Sequence, residues 1–152
     1  MTCEMRLTRV LGLPAILGER LLGHVERTAL DPRLRHLRGL VIRRGLGGAR
    51  WVSREGVSVL GDVSVVLQSV PVRPPKDADC PLGRVTDESG LTLGRVTDAW
   101  LRPDTLEITA LEVTLGPLED LRRGRLRVRD WAIQTASGGE TQVLIERQRW
   151  EV

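Results

Sequence analysis

Leu93-Gly94-Arg95-Val96-Thr97-Asp98-Ala99-Trp100-Leu101-Arg102-Pro103 has an echo upstream, Leu22-Gly23-His24-Val25-Glu26-Arg27-Thr28-Ala29-Leu30-Asp31-Pro32. Gly23 and Gly94, Val25 and Val96, Leu30 and Leu101, Pro32 and Pro103 each stand 71 positions apart. The register extends to Leu37 with Ile108 and to Leu40 with Leu111. A small-residue turn, a strand, a proline turn and a second strand therefore recur in one order. Solenoid repeats have periods of roughly 20–50 residues. The period here is longer, and one copy is the size of a small domain that folds alone. Two similar domains, or one pseudo-symmetric pair, are predicted.

The pattern inside each copy says more. Leu22 is out of phase with Val25 and Ala29, and Leu93 is out of phase with Val96 and Trp100. A regular strand alternates with period two. A slip at Gly23 and at Gly94 predicts a β-bulge, which bends a strand sharply. Bent strands are how small sheets close into barrels.

Outward from these stretches, short strands are predicted over residues 13–17, 21–30, 36–43, 49–52, 57–60 and 63–67. Leu37, Leu40 and Ile42 are inward candidates. Pro71, Pro74, Pro75 and Pro81, with Lys76, Asp77 and Asp79, mark a semi-rigid linker. The expected organisation is domain 1 over 1–70, a linker over 71–81 and domain 2 over 82–152. In the second domain, strands are expected over 84–86, 91–101, 107–115, 125–129 and 141–146. Ile108 and Ala110 are read as inward. Helical turns are expected at 118–123 and 130–133, and a hairpin loop at Ser137–Glu140. The fold class is all-β.

Composition bounds the rest. Of 23 basic residues Lys76 is the only lysine, and Phe and Tyr are absent. This bias fits a GC-rich genome, so arginine abundance alone argues weakly for nucleic acid. The net charge of +3 is modest for a dedicated nucleic-acid binder. No apolar run reaches the roughly 18 residues of a membrane helix, and the N-terminal stretch lacks a signal-peptide pattern. A cytoplasmic protein is expected. Cys3 and Cys80 stand alone, so neither a disulfide nor a zinc site is expected.

No catalytic set, metal site or cofactor is predicted. His24 falls where the second copy has Arg95, a solvent-facing slot. Asp87-Glu88 and Glu119-Asp120 read as hydrated surface charge, the latter favoured at a helix start. Gly45-Leu46-Gly47-Gly48-Ala49-Arg50 lacks the Gly-Lys-Ser/Thr ending of a P-loop and reads as a hairpin loop. The arginines are the best lead. Arg43, Arg44 and Arg50 flank one loop, and Arg122, Arg123, Arg125, Arg127 and Arg129 flank and follow its counterpart. Outward guanidinium groups suit carboxylate or phosphate partners. Trp51, Trp100, Trp131 and Trp150 read as core residues or barrel-end plugs, not as stacking platforms for single-stranded RNA.

The repeated unit resembles the PRC-barrel domain. The first copy carries Leu22-Gly23-His24-Val25, Asp31-Pro32, an apolar strand over 37–41, Arg50-Trp51-Val52 and Val63-Ser64-Val65-Val66-Leu67. The second carries Leu93-Gly94-Arg95-Val96, Arg102-Pro103, an apolar strand over 108–113, Arg125-Leu126-Arg127-Val128 and Gln142-Val143-Leu144-Ile145. The resemblance implies two tandem small β-barrels with short helical turns, of a kind used to hold partners. Similar domains form the cytoplasmic part of the H subunit of purple-bacterial reaction centres. Others form the C-terminal half of a ribosome maturation factor, and tandem members occur in bacteria. This sequence shows neither the membrane helix of the first kind nor the separate N-terminal domain of the second. The expectation is a non-enzymatic interaction or adaptor module. It would bind a protein partner through strand edges or the arginine-rich face. The alternative is an RNA- or ribosome-associated assembly factor using that arginine face.

Overall fold

A computed structural model describes residues 3–76, 83–86, 89–135 and 141–145. Asp87-Glu88, Cys80 with the second half of the linker, the Ser137–Glu140 loop and Trp150 lie outside the described residues. The chain is mostly strand and forms two mixed sheets. A short first strand, β1 (Met5–Arg6), leads through a 3-10 turn over Leu7–Val10 into the first repeat. That repeat holds β2 (Pro14–Leu17), β3 (Arg20–Leu30), β4 (Leu37–Arg43), β5 (Ala49–Ser53), β6 (Val57–Leu60) and β7 (Val65–Leu67). The second holds β8 (Arg84–Thr86), β9 (Thr92–Leu101), β10 (Ile108–Thr114), α1 (Pro117–Arg123), β11 (Leu126–Val128), β12 (Ala132–Thr135) and β13 (Thr141–Leu144).

The two sheets share one topology. The first runs β5-β4-β3-β2-β7-β6 and the second β11-β10-β9-β8-β13-β12, with β1 added on β9. In each, all neighbours are antiparallel except one parallel pair, β2 with β7 and β8 with β13. Three ladder slips also coincide, while a fourth, at Ser58 between β6 and β7, has no counterpart between β12 and β13. Leu22 is the extra residue between β2 and β3, and Leu93 between β8 and β9. Glu26 and Thr97 are extra further along β3 and β9, and Arg38 and Thr109 are extra in β4 and β10. Each of these pairs stands 71 positions apart, so the duplication extends to the irregularities.

Gly23 and Gly94 sit beside the first slip for a steric reason. A Cβ built on Gly23 would lie 2.2 Å from the carbonyl oxygen of Arg43, and one on Gly94 2.0 Å from that of Thr114. Arg43 and Thr114 are themselves 71 apart. The bend thus brings the third strand's backbone into the space a side chain would fill.

The later slips change which face each residue takes. Val25 and Ala29 have the same parity, yet Val25 packs in the main core while Ala29 packs outside it with Val41 and Trp51. The extra residue Glu26 inverts the alternation between them. Ala110, read as inward, is likewise outside the main apolar cluster, because Thr109 inverts β10; Leu111 and Val113 are inside with Ile108. The expected helical turn at 130–133 is absent: Asp130 and Trp131 are irregular and Ala132 begins β12, which pairs in register with β13 from Ala132 to Thr135.

The repeats meet through equivalent residues. His36 and Glu107, 71 apart, form an antiparallel bridge. The Leu37 N–H donates to the Leu106 carbonyl at 2.8 Å, and the Ile108 N–H to the Arg35 carbonyl at 2.7 Å. The two bonds exchange when the repeats are exchanged, which is the signature of a local two-fold axis. One apolar cluster then runs through both repeats, from Val10, Ala15, Leu37 and Leu40 to Leu101, Leu111, Val143 and Ile145. Each fully buried Leu, Ile or Val contributes roughly 1.5–3 kcal/mol, so this shared core stabilises three-residue strands that could not stand alone.

Outside the first sheet, the Trp51 ring lies against Gly39, where a Cβ would meet Cη2 and Cζ2 at 2.4 Å. The second repeat has Ala110 and Arg127 at the corresponding places. Gly39→Ala is expected to cost about 2 kcal/mol in the native background. In a Trp51→Leu background the added loss should fall but not vanish, because the Val52 carbonyl oxygen would still lie 2.6 Å from the new Cβ; a double-mutant cycle of urea melts reads the coupling directly. Additive losses would show that the ring does not occupy this place.

Candidate interaction face

The arginines singled out from the sequence are mostly engaged within the chain. Arg43 on β4 forks onto Glu26 of β3, with Nε and Nη2 donating to the two carboxylate oxygens at 3.0 and 2.9 Å. That hydrogen bond holds the Glu26 carboxyl below the usual carboxylate range. The same contact raises the affinity of Arg43 for its proton. Arg50 donates to the Ala49 carbonyl at 3.3 Å. Among the described residues neither Arg44 nor Arg50 meets a carboxylate. Both flank the 3-10 turn Gly45–Gly47, the expected hairpin connection, whose Leu46 is fully exposed.

The corresponding connection in the second repeat carries α1. Gly116 precedes it, Pro117 opens it, and Gly124 ends it at φ 72°. Pro at the first helical position and Gly past the end suit the missing N–H and the left-handed cap. Glu119 pairs with Arg122 at 3.8 Å and with Arg123 at 3.6 Å. Such exposed i,i+3 and i,i+4 pairs contribute little. Asp120 instead turns inward and accepts from the Thr114 hydroxyl. Leu118 and Leu121 stand exposed on the same helix.

Arg125, Arg127 and Arg129 belong to a different construction, on the outer face of the second sheet. Asp98 and Glu112 are register partners on β9 and β10, and both are buried, at 4% and 2% exposure. Two carboxylates directly opposite repel one another, and buried charge needs partners. The N-terminal arm supplies them. Arg6 reaches Glu112 at 2.8 Å and Asp98 at 3.6 Å. Thr8 donates to Asp98 through its N–H at 3.2 Å and its hydroxyl at 2.7 Å. Arg125 adds a bond to Glu112 at 2.9 Å, which raises its own proton affinity. Arg127 and Arg129 both reach Glu4.

Trp100 lies in the middle of this group. The Arg6 guanidinium carbon is 4.9 Å and that of Arg127 4.5 Å from the ring centroid. Trp100 is therefore no barrel plug. It is a half-buried outer-face residue between two cations. In the first repeat the places of Asp98, Trp100 and Glu112 are taken by Arg27, Ala29 and Val41. The fold does not require acids there; they are matched to the arm. Sequence reading passed over Glu4, Arg6, Thr8, Asp98 and Glu112. The signal for the two acids was that Asp98 and Glu112 stand where the first repeat has Arg27 and Val41.

Two clefts flank the local two-fold. On one side Arg35 lies 4.2 Å over the Trp131 ring, and its Nη2 donates to the Trp131 carbonyl at 2.6 Å. The Trp131 indole N–H donates to the Arg33 carbonyl at 3.3 Å. On the other side Leu106 replaces Arg35 and the Val57–Ser58 step replaces Trp131, so that latch is missing. This cleft is lined by Arg54, Ser58, Gln68, Asp104 and Thr105 among others.

His24 is exposed and His36 sits at the seam. Among the described residues no cluster of His, Cys, Asp and Glu is arranged to hold a metal. No helix among them is long and apolar enough to cross a membrane. No family model matches the chain, and no curated protein matches it.

Proposed function

We propose that the chain is a non-enzymatic interaction module of two PRC-barrel-like repeats that binds a protein partner along a sheet edge. The observation that carries this reading is the way both sheets take up extended backbone. Met5–Arg6 adds as an antiparallel strand on β9. Val72 adds on Trp51 of β5, through bonds of 2.6 and 2.8 Å. Peptide recognition by strand addition uses the same main-chain bonds. Among the described residues the edge of β6 carries no added strand: it ends its ladder, Ser58 and Val59 are exposed, and it borders the unlatched cleft. The edge of β12 has Arg35 across it instead.

The arginine face supports partner binding less, because six of its eight members already face carboxylates of this chain. The test is affinity purification of the full chain from its own cells, with nuclease treatment, beside a Val59→Lys variant. A charged residue on an edge strand blocks pairing. A partner retained after nuclease and reduced at least tenfold by Val59→Lys is the expected result. A partner lost on nuclease treatment and steeply with salt would replace this reading by the RNA one.

A further inference from the structure

Resting on the reading of the chain as a protein-interaction module, we propose that Trp100, Asp98 and Glu112 form a socket that reads an arginine in an extended peptide. The chain's own N-terminal arm fills this socket in cis. The partner it fits is an extended segment carrying an arginine with Ser or Thr two residues later.

The ligand chemistry is written in the arm. Arg6 presents a planar cation that meets Glu112 at 2.8 Å and Asp98 at 3.6 Å while stacking 4.9 Å from Trp100. Two carboxylates beside an aromatic ring suit a guanidinium better than an ammonium. Thr8, two residues on, takes the remaining Asp98 acceptors through its N–H and hydroxyl. Main-chain pairing of Met5 with Leu101 and Arg6 with Trp100 sets the register. That is strand addition with one side chain read on the sheet face.

The socket is also separable from the fold. The first repeat has the same strands and the corresponding slips with Arg27, Ala29 and Val41 at these three places, so this sheet forms without the two acids and the ring. The arm is anchored by Met5, Leu7 and Val10, all buried in the shared core, while its polar hold on the socket is open to exchange. Its strand is two residues long, and Arg6 remains 48% exposed while the two carboxylates beneath it are almost fully buried. A competing segment in trans meets a preformed site, and must supply apolar side chains in place of Met5 and Leu7 as well as the two main-chain pairs. The cis occupant lowers its apparent affinity by the fraction of time the arm is docked.

The probe is a fluorescein-labelled peptide, Ser-Glu-Met-Arg-Leu-Thr-Arg-Val, which copies residues 3–10 with serine for the cysteine, beside a control with glutamate for its first arginine. The full-length Arg6→Glu variant removes the cis guanidinium and places a third carboxylate against Asp98 and Glu112, which weakens the arm's hold on the socket. Its fold is checked by far-UV circular dichroism and a thermal melt. The expected result is peptide binding at least tenfold tighter to Arg6→Glu than to the wild type. The control peptide should not bind, and adding Asp98→Asn and Glu112→Gln should abolish binding. A folded Arg6→Glu variant that binds neither peptide, or both equally, overturns the proposal. If that variant does not fold, the wild type decides by the indole signal of Trp100. A saturable shift with the arginine peptide alone supports the socket, and no shift up to millimolar peptide overturns it. Failure here leaves partner capture through β6 intact. Loss of all partners in the Val59→Lys comparison leaves the peptide affinity intact.

Discussion

Replacing Gly94 with alanine is expected to destabilise the protein by about 3 kcal/mol or more. Gly23→Ala should cost a similar amount. In each case the added methyl would lie near 2 Å from a backbone carbonyl oxygen, 2.0 Å at Thr114 and 2.2 Å at Arg43. No rotamer relieves a clash between a Cβ and a main-chain atom. The third strand must retreat, and with it Ile42 or Val113, both fully buried. Urea unfolding of the two variants gives the numbers. Equal, large losses follow from equivalent surroundings. A loss under about 1 kcal/mol at either site would mean that the close approach is absent there. By contrast Gly124, with no atom within 4 Å of a built Cβ, has room for a side chain and only its positive φ to lose.

Trp131→Ala is the second large effect, at about 3–4 kcal/mol. For a chain of this size that corresponds to a melting temperature lower by about 10 °C. Trp131, just before β12, is 6% exposed and meets Arg33 and Arg35 of the opposite repeat. Its removal leaves a cavity, and it strips the Arg33 carbonyl of its donor and Arg35 of the ring it covers. Trp131→Phe keeps a ring under Arg35 but not the indole N–H, so it should recover more than half of the loss. If alanine and phenylalanine cost the same, the N–H bond and not the packing closes the seam.

The duplication was legible because glycine, proline and leucine sit at fixed separations, and the first slip was legible because Gly23 and Gly94 mark it. The second and third slips were not. Glu26, Thr97, Arg38 and Thr109 are ordinary strand residues, and an extra residue leaves no composition signal where the side chain is tolerated on either face. Leu37, Leu40 and Ile42 are inward as read, but the alternation inverts at Ala29 and Ala110. The arginines were legible as a group, but their partners were not. Glu4 lies 123 positions from Arg127, and Arg6 lies 106 from Glu112. Only the strand addition of β1 on β9 brings them together. No local pattern encodes a segment that leaves its own repeat to lie on the other.

The chain folds one bent-sheet unit twice and joins the copies through their own equivalent residues. His36 and Glu107 are the residues on that axis. The bonds from Leu37 to Leu106 and from Ile108 to Arg35 make them a non-hydrogen-bonded antiparallel pair. Such pairs have Cα atoms about 4.5 Å apart, within the roughly 4.4–6.8 Å that a disulfide spans. In a Cys3→Ser, Cys80→Ser background, His36→Cys with Glu107→Cys should therefore oxidise in air to one intramolecular disulfide. The product should run faster on a non-reducing gel and be stabilised by about 2–4 kcal/mol. Free thiols after oxidation, or disulfide-linked dimers alone, would contradict the two-fold seam.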